Sequence, residues 1–395
     1  MEIPILRTYC RKHTKASGKG DNNMNFDFSF AEQALFKDIH DRMKGYAEGK
    51  NLETQDISRV KEALVILGKT PYLKLGLDTP KGFGGTSLMG AMETLATLSP
   101  SLYLSVEMST RLFGSIVATW GNTGQKERWL APLMKGQFLG AVALSEDSLN
   151  VDNDPLKTTG SQDGNFLNLS GDKTYVVNGP VADRVAVAGL MNDQIALFII
   201  DQGTAGLAAG GPFRTLGYEG SAISRISLNN CRIPMDQVIG PFEDRSVLDT
   251  LRLWENQILL GASLGLMKAA FESARDYAKT HRSGGKPIIA YQEVAFKLSE
   301  MLTLLQTSQL FAYRTAWTLE TSPKEAESLM WCAKVFCTEA AEKVSGYSLQ
   351  ILSGSGFISG NPSEIAYRCA KYGQIAGTST EISRVKIGDA ALGYR

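Results

Sequence analysis

The constraint that most narrows the fold is a change of hydrophobic period along the chain: helical, then strand-like, then helical again in much longer segments. Toward the C-terminus apolar residues recur at helical spacing over 251–281, 290–320 and 324–354, with a shorter segment after Pro362. The connections SGGKP, TSPKE and GFISGNP are brief. Short links make neighbouring helices antiparallel, so the pattern predicts a four-helix bundle. From Phe26 to about Gly140 helical spacing also dominates, and FSFAEQALFKDIHDRMKGYAE brings Phe28, Leu35, Ile39 and Met43 to one face. PKGFGG (Pro80 to Gly85) interrupts it with residues that cannot continue a helix. Between about Ala141 and Gly240 the runs NFLNLSG, TYVVNG, RVAVAGL, QIALFIID and ISRISLNN alternate with Gly, Asn and Asp turns. That texture predicts an antiparallel β-sandwich or barrel. The expected class is α+β: an arm at 1–25, a helical domain at 26–140, a β domain at 141–242 and the bundle at 243–395.

Composition narrows the function. Lys plus Arg and Asp plus Glu both total 41, so the chain lacks the bulk positive charge of a nucleic-acid or anionic-membrane binder. The three histidines (His13, His40, His281) and five cysteines (Cys10, Cys231, Cys332, Cys337, Cys369) show no metal-ligand spacing, so no metal is expected. Unpatterned cysteines suit a reducing compartment, and no apolar run has the roughly 18 residues needed to span a bilayer. The first 23 residues carry Arg7, Arg11, Lys12, Lys15 and Lys19 against Glu2 and Asp21. They suit an unstructured arm or an early start codon before Met24, or else a transit peptide. The expected location is cytoplasmic, or the mitochondrial matrix if the arm is a eukaryotic transit peptide. No GxGxxG follows a strand and no GxxxxGK[ST] occurs, so neither a Rossmann nor a P-loop site is supported.

Four segments, in order and reaching nearly the whole chain from Phe26, resemble the acyl-CoA dehydrogenase family. LMKGQFLGAVALSEDSLNVDNDPLKTT (133–159) looks like the stretch ending in the family's "alTEpgaGSD" box, and SGDKTYVVNGPVADRVAVAG (170–189) resembles its "nGxKxwITNgxxAd" segment. LGYEGSAISRISLNNCRIPMDQVIG (216–240) is similar to its "lGxrgsxxxxvxfxxvxvPxxxxlG" strands. QILSGSGFISGNPSEIAYRCAKYGQIAGTSTEISR (350–384) resembles its closing "QilGGxGyxxexpvexxxRdakxxxIxeGTxxixR" region.

The resemblance implies an FAD enzyme that introduces a double bond between the α and β carbons of an acyl-CoA and passes electrons to an electron-transfer flavoprotein. It also implies a homotetramer. The chemistry needs a base for the α proton, donors for the thioester oxygen and a hydride acceptor. With so little histidine the base is expected to be a carboxylate, best suited to the task in an apolar pocket. In most of the family that base is the Glu of the terminal "eGT", where this chain has Ala376 or Gly377 depending on the alignment. The isovaleryl-CoA and long-chain dehydrogenases instead carry it at the start of the first bundle helix. LRLWENQILLGASLGLMKAA (251–270) resembles that segment and puts Glu255 there. Helical spacing also sets Glu255 at the head of a stripe with Leu259, Ala262 and Leu266, where it either caps the first turn or enters a pocket. Backbone N–H groups around Ala376 and Gly377 remain as donors to the thioester oxygen.

The same resemblance carries flavin contacts onto Ser145, Tyr175, Val177, Gln292, Gln350, Gly354, Thr378 and Ser379. Tyr175 and Val177 equally suit strand core, and Gln350 a solvated helix face. The family's "RxxFG", which grips the cofactor pyrophosphate from a neighbouring subunit, reads HRSGG, with His281 for Arg, Gly284 for Phe, and Arg282 adjacent to supply charge. Substrate contacts fall on Val151 (usually Ser), Asn256 (usually Arg), Ala376 and Gly377. The small residues at 376 and 377 suit a branched or cyclic acyl group. Two alternatives follow from the departures: a catalytically degenerate subunit in a mixed oligomer with an intact homologue, or altered chemistry such as ring or C–C cleavage.

Overall fold

The structure, a computed structural model, describes residues 27–54, 56–147 and 154–394; the arm and Val151 lie outside them. The N-terminal part is helical: α1 (Phe30–Ala47), α2 (Ile57–Leu67), α3 (Gly85–Leu98), α4 (Pro100–Glu107), α5 (Gly114–Trp120), α6 (Thr123–Gln125) and α7 (Ala131–Leu133). Ser29 and Glu32 cap α1 reciprocally: the Glu32 N–H donates to Ser29 Oγ at 3.3 Å and the Ser29 N–H to Glu32 Oε2 at 2.7 Å. Leu35, Ile39 and Met43 are buried on its inner face. Between α4 and α5 the chain forms a π-helical turn at Met108–Phe113, a form that concentrates at functional sites.

The middle part is one mostly antiparallel sheet of β1 (Gly140–Ala143), β2 (Thr159–Asp163), β3 (Phe166–Val176), β4 (Arg184–Met191), β5 (Gln194–Asp201), β6 (Leu207–Ala209), β7 (Ser224–Pro234) and β8 (Val238–Phe242). Its order is β6-β7-β3-β2-β4-β5-β8, with β1 also on β4. The path ends at β6 and β8, so the barrel expectation gives way to an open sheet. Nor is it wholly antiparallel, because β1 and β2 both run parallel to β4. The β4–β5 hairpin turns on Asn192 and Asp193, at φ +51 and +62, the left-handed pair that a two-residue turn requires. Alternate residues of β5 serve two cores: Ile195, Leu197 and Ile199 face the helices, while Ala196, Phe198 and Ile200 enter the sheet's own core. Burial on both faces explains why QIALFIID is a continuous apolar run.

The C-terminal part holds α8 (Ser246–Thr280), α9 (Gln292–Thr321), α10 (Pro323–Leu352) and α11 (Pro362–Ile375), with α12 (Thr380–Leu392) against α10. A two-stranded ribbon, β9 (Arg282–Ser283) and β10 (Lys286–Pro287), links α8 to α9. Among the described residues no helix is long and apolar enough to cross a membrane. The joint between α8 and the N-terminal helices is close. A Cβ at Gly265 would fall within bonding overlap of Ala96, and one at Gly261 would strike the Tyr103 hydroxyl, which donates to the Ile258 carbonyl at 2.6 Å. Gly265→Val overpacks this joint, and backbone of α3 stands in its way. The expected loss is on the order of 3 kcal/mol, at the upper end for overpacking, and the midpoint of urea unfolding checks it.

Candidate active site

A cleft of about 730 Å³ opens where the sheet meets the bundle. Ser145, Glu146, Thr174 and Tyr175 line one wall, Phe213, Arg214, Thr215 and Arg225 another, and Arg252, Glu255, Tyr372, Ala376 and Gly377 the bundle side. Behind Glu255 it narrows to a pocket of about 40 Å³ between Met108, Leu112, Val142, Leu144, Val177 and Leu251. The π-helical turn thus supplies the floor through Met108 and Leu112. Glu255 sits nine residues past the first residue of α8, so it does not cap the helix. Leu259, Ala262 and Leu266 are buried along its stripe, and its own side chain is 14 % exposed, turned into the cleft.

Two carboxylates line this space, and their surroundings separate them. Glu146 accepts from the Lys157 N–H (2.7 Å), the Thr158 N–H (3.0 Å), the Thr158 hydroxyl (2.7 Å) and Lys173 Nζ (2.6 Å). Burial alone would push its carboxyl up, but Lys173 and these donors hold it below the usual range. Lys173 is wholly buried, and desolvation lowers its ammonium to about 8 despite that partner. The pair is structural: it ties the end of β1 to β3. Among the described residues Glu255 has one charged partner, Arg252, whose Nη1 donates to Oε2 at 2.8 Å. Tyr372 stands beside both; its phenol is pushed up by burial first and by the Glu255 charge second.

The turn after α11 explains what became of the usual base position. Ala376 ends the helix, and its N–H is spent on the Tyr372 carbonyl at 2.9 Å. Gly377 takes φ +64, and a Cβ there would meet Asn256 Oδ1 at 2.5 Å, so only glycine fits. Asn256, expected to face substrate, is 1 % exposed and works as a clamp: its Oδ1 accepts the Thr378 N–H at 3.0 Å and its Nδ2 donates to Thr378 Oγ1 at 3.2 Å. It points away because consecutive helical residues lie about 100° apart, so Glu255 and Asn256 cannot share a face. Lys334 of α10 closes the turn from behind, donating to the carbonyls of Ala376 (2.7 Å) and Thr378. Of the backbone donors expected here, the Gly377 N–H is the one with no hydrogen bond among the described residues. Ser379 caps α12, its Oγ accepting the Ile382 N–H at 3.3 Å.

The carried-over residues divide between two places. Ser145, Tyr175, Val177, Glu255, Ala376 and Gly377 line the cleft or its inner pocket, with Asn256, Thr378 and Ser379 just behind. Val177 is apolar and nearly buried, so it offers contact but no hydrogen bond. Tyr175 is 67 % exposed at φ +56, its ring 5.9 Å from that of Phe213. His281, Arg282, Gln292, Gln350 and Gly354 are exposed and touch none of this. His281 lies 26 residues beyond Glu255 on and just past α8, about 39 Å at 1.5 Å per residue. It stacks on Tyr277 at 4.6 Å. The helices α8 and α10 run parallel, since Lys334 is level with Asn256 and Ser348 Oγ donates to the Ala270 carbonyl at 2.8 Å. Gln350 and Gly354 therefore gather at the same far end.

Sequence reasoning missed Arg252, Tyr372, Phe213, Thr215 and Lys334. The opposite charges of Arg252 and Glu255 at i, i+3 were a usable signal for the first. The rest depend on contacts between distant segments. The cleft suits a flavin: aromatic rings flank it, and the buried Thr215 Oγ1 on its wall has no partner among the described residues. Such an orphaned group calls for a ligand or a water.

Comparison with known proteins agrees with this geometry. The family models for the N-terminal and C-terminal domains of acyl-CoA dehydrogenases match residues 74–137 and 252–392. The chain is 30 % identical over 331 residues to an acyl-CoA dehydrogenase of Bacillus subtilis, covering 81 % of this chain and 87 % of that one. It is 29 % identical over 335 residues to the human mitochondrial short-chain specific acyl-CoA dehydrogenase, covering 81 % of each. The butyryl-CoA dehydrogenase of Megasphaera elsdenii superposes with a TM-score of 0.86 at 24 % identity, covering 93 % of this chain and 100 % of that one. The chain belongs to the acyl-CoA dehydrogenase family of FAD-dependent oxidoreductases.

Proposed function

We propose that this protein dehydrogenates an acyl-CoA to the 2-enoyl-CoA, with Glu255 taking the α proton. One observation carries the assignment: Glu255 is the cleft carboxylate left able to move a proton, because Glu146 is fully engaged by Lys173 and its other donors and the turn at 376–377 bears no acidic side chain. FAD, when bound, accepts the β hydride. Ser145, Tyr175, Val177, Phe213 and Thr215 would hold it against the sheet side of the cleft. The Gly377 N–H is the donor for the thioester oxygen, and Asn256 and Lys334 fix its direction. Met108, Leu112, Leu251 and Tyr372 wall the space beside Glu255 and keep bulk water from the reacting carbons. The small side chain of Ala376 leaves room for a branch beside the α carbon.

The far-end residues fit a second role. An exposed His281, Arg282, Gln292, Gln350 and Gly354 some 39 Å from the base cannot serve the same cofactor within one chain, but they can reach the cofactor of a neighbouring copy. A homotetramer, with an electron-transfer flavoprotein as acceptor, is what the family resemblance implies, and the exposed far-end residues are compatible with a shared site. Arg282 supplies the guanidinium charge beside His281.

Two measurements test these assignments. Glu255→Gln is expected to keep its FAD and to lose roughly 10²- to 10⁴-fold in the rate at which acyl-CoA bleaches it, the usual contribution of a general base; stopped-flow absorbance at the flavin band reads this, and bleaching at the wild-type rate would assign the base elsewhere. Arg282→Ala is expected to release FAD on gel filtration while Glu255→Gln does not, with light scattering following the oligomer. Retention of FAD by a monomer would refute the shared site.

A further inference from the structure

Proton abstraction by Glu255 leaves Arg252 without a task, and indeed works against it. The Arg252 side chain is 12 % exposed, it is paired with the carboxylate at 2.8 Å, and its Nε is buried with no partner. When Glu255 takes up a proton that ion pair is lost, so the contact opposes the step the site performs. A buried guanidinium stripped of its partner is costly unless another acceptor replaces it. Among the described residues the cleft offers none. Glu146 is fully engaged, and Asp147 at the cleft mouth pairs with Arg225. The side chains lining the cleft include Arg214, Arg225 and Arg252 against Glu255 and a Glu146 already neutralised by Lys173, so its field favours an anion. The acceptor has to arrive with the substrate.

Size then limits what arrives. The inner pocket of about 40 Å³ has room for about three waters, so a long alkyl tail does not fit behind Glu255. A guanidinium in contact with the base lies within a few bonds of the carbon whose proton that base removes. The geometry points to Arg252 as the residue that reads the acyl group: the preferred substrate is a short acyl-CoA that carries a carboxylate of its own, two or three carbons beyond the thioester carbonyl. This rests on the acyl-CoA dehydrogenase assignment of the same cleft. The substrate carboxylate accepts from Arg252, the Arg252–Glu255 pair opens, and Glu255 is freed to take the α proton. The carboxylate is retained, and the α proton and β hydride leave as in any dehydrogenation. A neutral acyl chain leaves the pair closed and the base restrained.

The holoenzyme tests this with succinyl-CoA and glutaryl-CoA against butyryl-CoA. Wild type is expected to show kcat/KM at least 100-fold higher for the better carboxylate-bearing thioester. Arg252→Gln should bring that ratio to about one, and Arg252→Lys, which keeps the charge without the fork, should fall between. FAD content and thermal midpoint verify that each variant is folded. Binding gives a readout free of turnover: on a Glu255→Gln background the carboxylate-bearing thioesters should bind at least tenfold tighter than butyryl-CoA by calorimetry, and adding Arg252→Gln should abolish the difference. Flavin reduction by butyryl-CoA with a ratio that Arg252→Gln does not move overturns this proposal alone. Reduction by none of the three overturns the dehydrogenase assignment, and this proposal with it.

Discussion

The approach of α8 to the N-terminal helices at Gly261 and Gly265 is the contact on which the cleft depends. Without side chains at those positions the α8 backbone can lie against α3, and the Tyr103 hydroxyl can reach the Ile258 carbonyl. Tyr103 belongs to α4, which runs straight into the π-helical turn carrying Met108 and Leu112. One turn of α8 before Ile258 stands Glu255. Glu255, the proposed base, and the floor of its pocket are therefore set by a single joint, and a shift of α8 would move one against the other. The buried trio of Tyr72, Glu107 and Arg111 stiffens the other side of that turn, with Tyr72 donating to Glu107 at 2.7 Å and Arg111 lying 3.5 Å from it.

The departures from the family pattern at this end of the bundle are mutually consistent. Moving the carboxylate from the turn at 376–377 to α8 leaves the turn with only backbone to contribute. Asn256 and Lys334 then hold that backbone from two helices at once, through four hydrogen bonds. An arginine at position 256 would bring a charge where an amide now satisfies both a donor and an acceptor. A proton acceptor on a helix packed along its length is held more tightly than one on a turn. With Glu255 as the proposed base, the exchange would trade a catalytic loop for a catalytic helix.

Much of this was legible in the sequence because periodicity reports burial. The long segments 251–281, 290–320 and 324–354 became α8, α9 and α10 within a few residues, and the Glu255 stripe proved to be buried. Asn-Asp at 192–193 read as a turn for the reason that it is one. The open ends of the sheet were not legible, since strand runs do not say which strand lies next to which. The π-helical turns were also hidden, because they leave the apolar face of the segment intact. Lys334 was missed for a different reason. A lysine in a helix reads as solvated, and only the fold brings two carbonyls of a turn 42 and 44 residues away to its ammonium.

The two ends of α8 now stand in contrast. At the near end each lost family residue has a visible replacement within the same chain: Glu255 for the terminal carboxylate, and Asn256 with Lys334 for the order of the turn. At the far end the replacement is incomplete by itself. Arg282 spends one of its nitrogens on the Gly285 carbonyl at 2.5 Å, within its own ribbon, and His281 lies flat on Tyr277. Because a helix of 35 residues is about 52 Å long at 1.5 Å per residue, these groups lie too far from the cleft to touch a ligand held there by the same chain. On the proposed assignment the near end sets the chemistry, and the far end would couple the affinity for FAD to assembly. Selection on the first can be met by substitutions in one chain; selection on the second acts on an interface, where Arg282 has to be drawn from its own carbonyl to a neighbour's phosphates before it contributes.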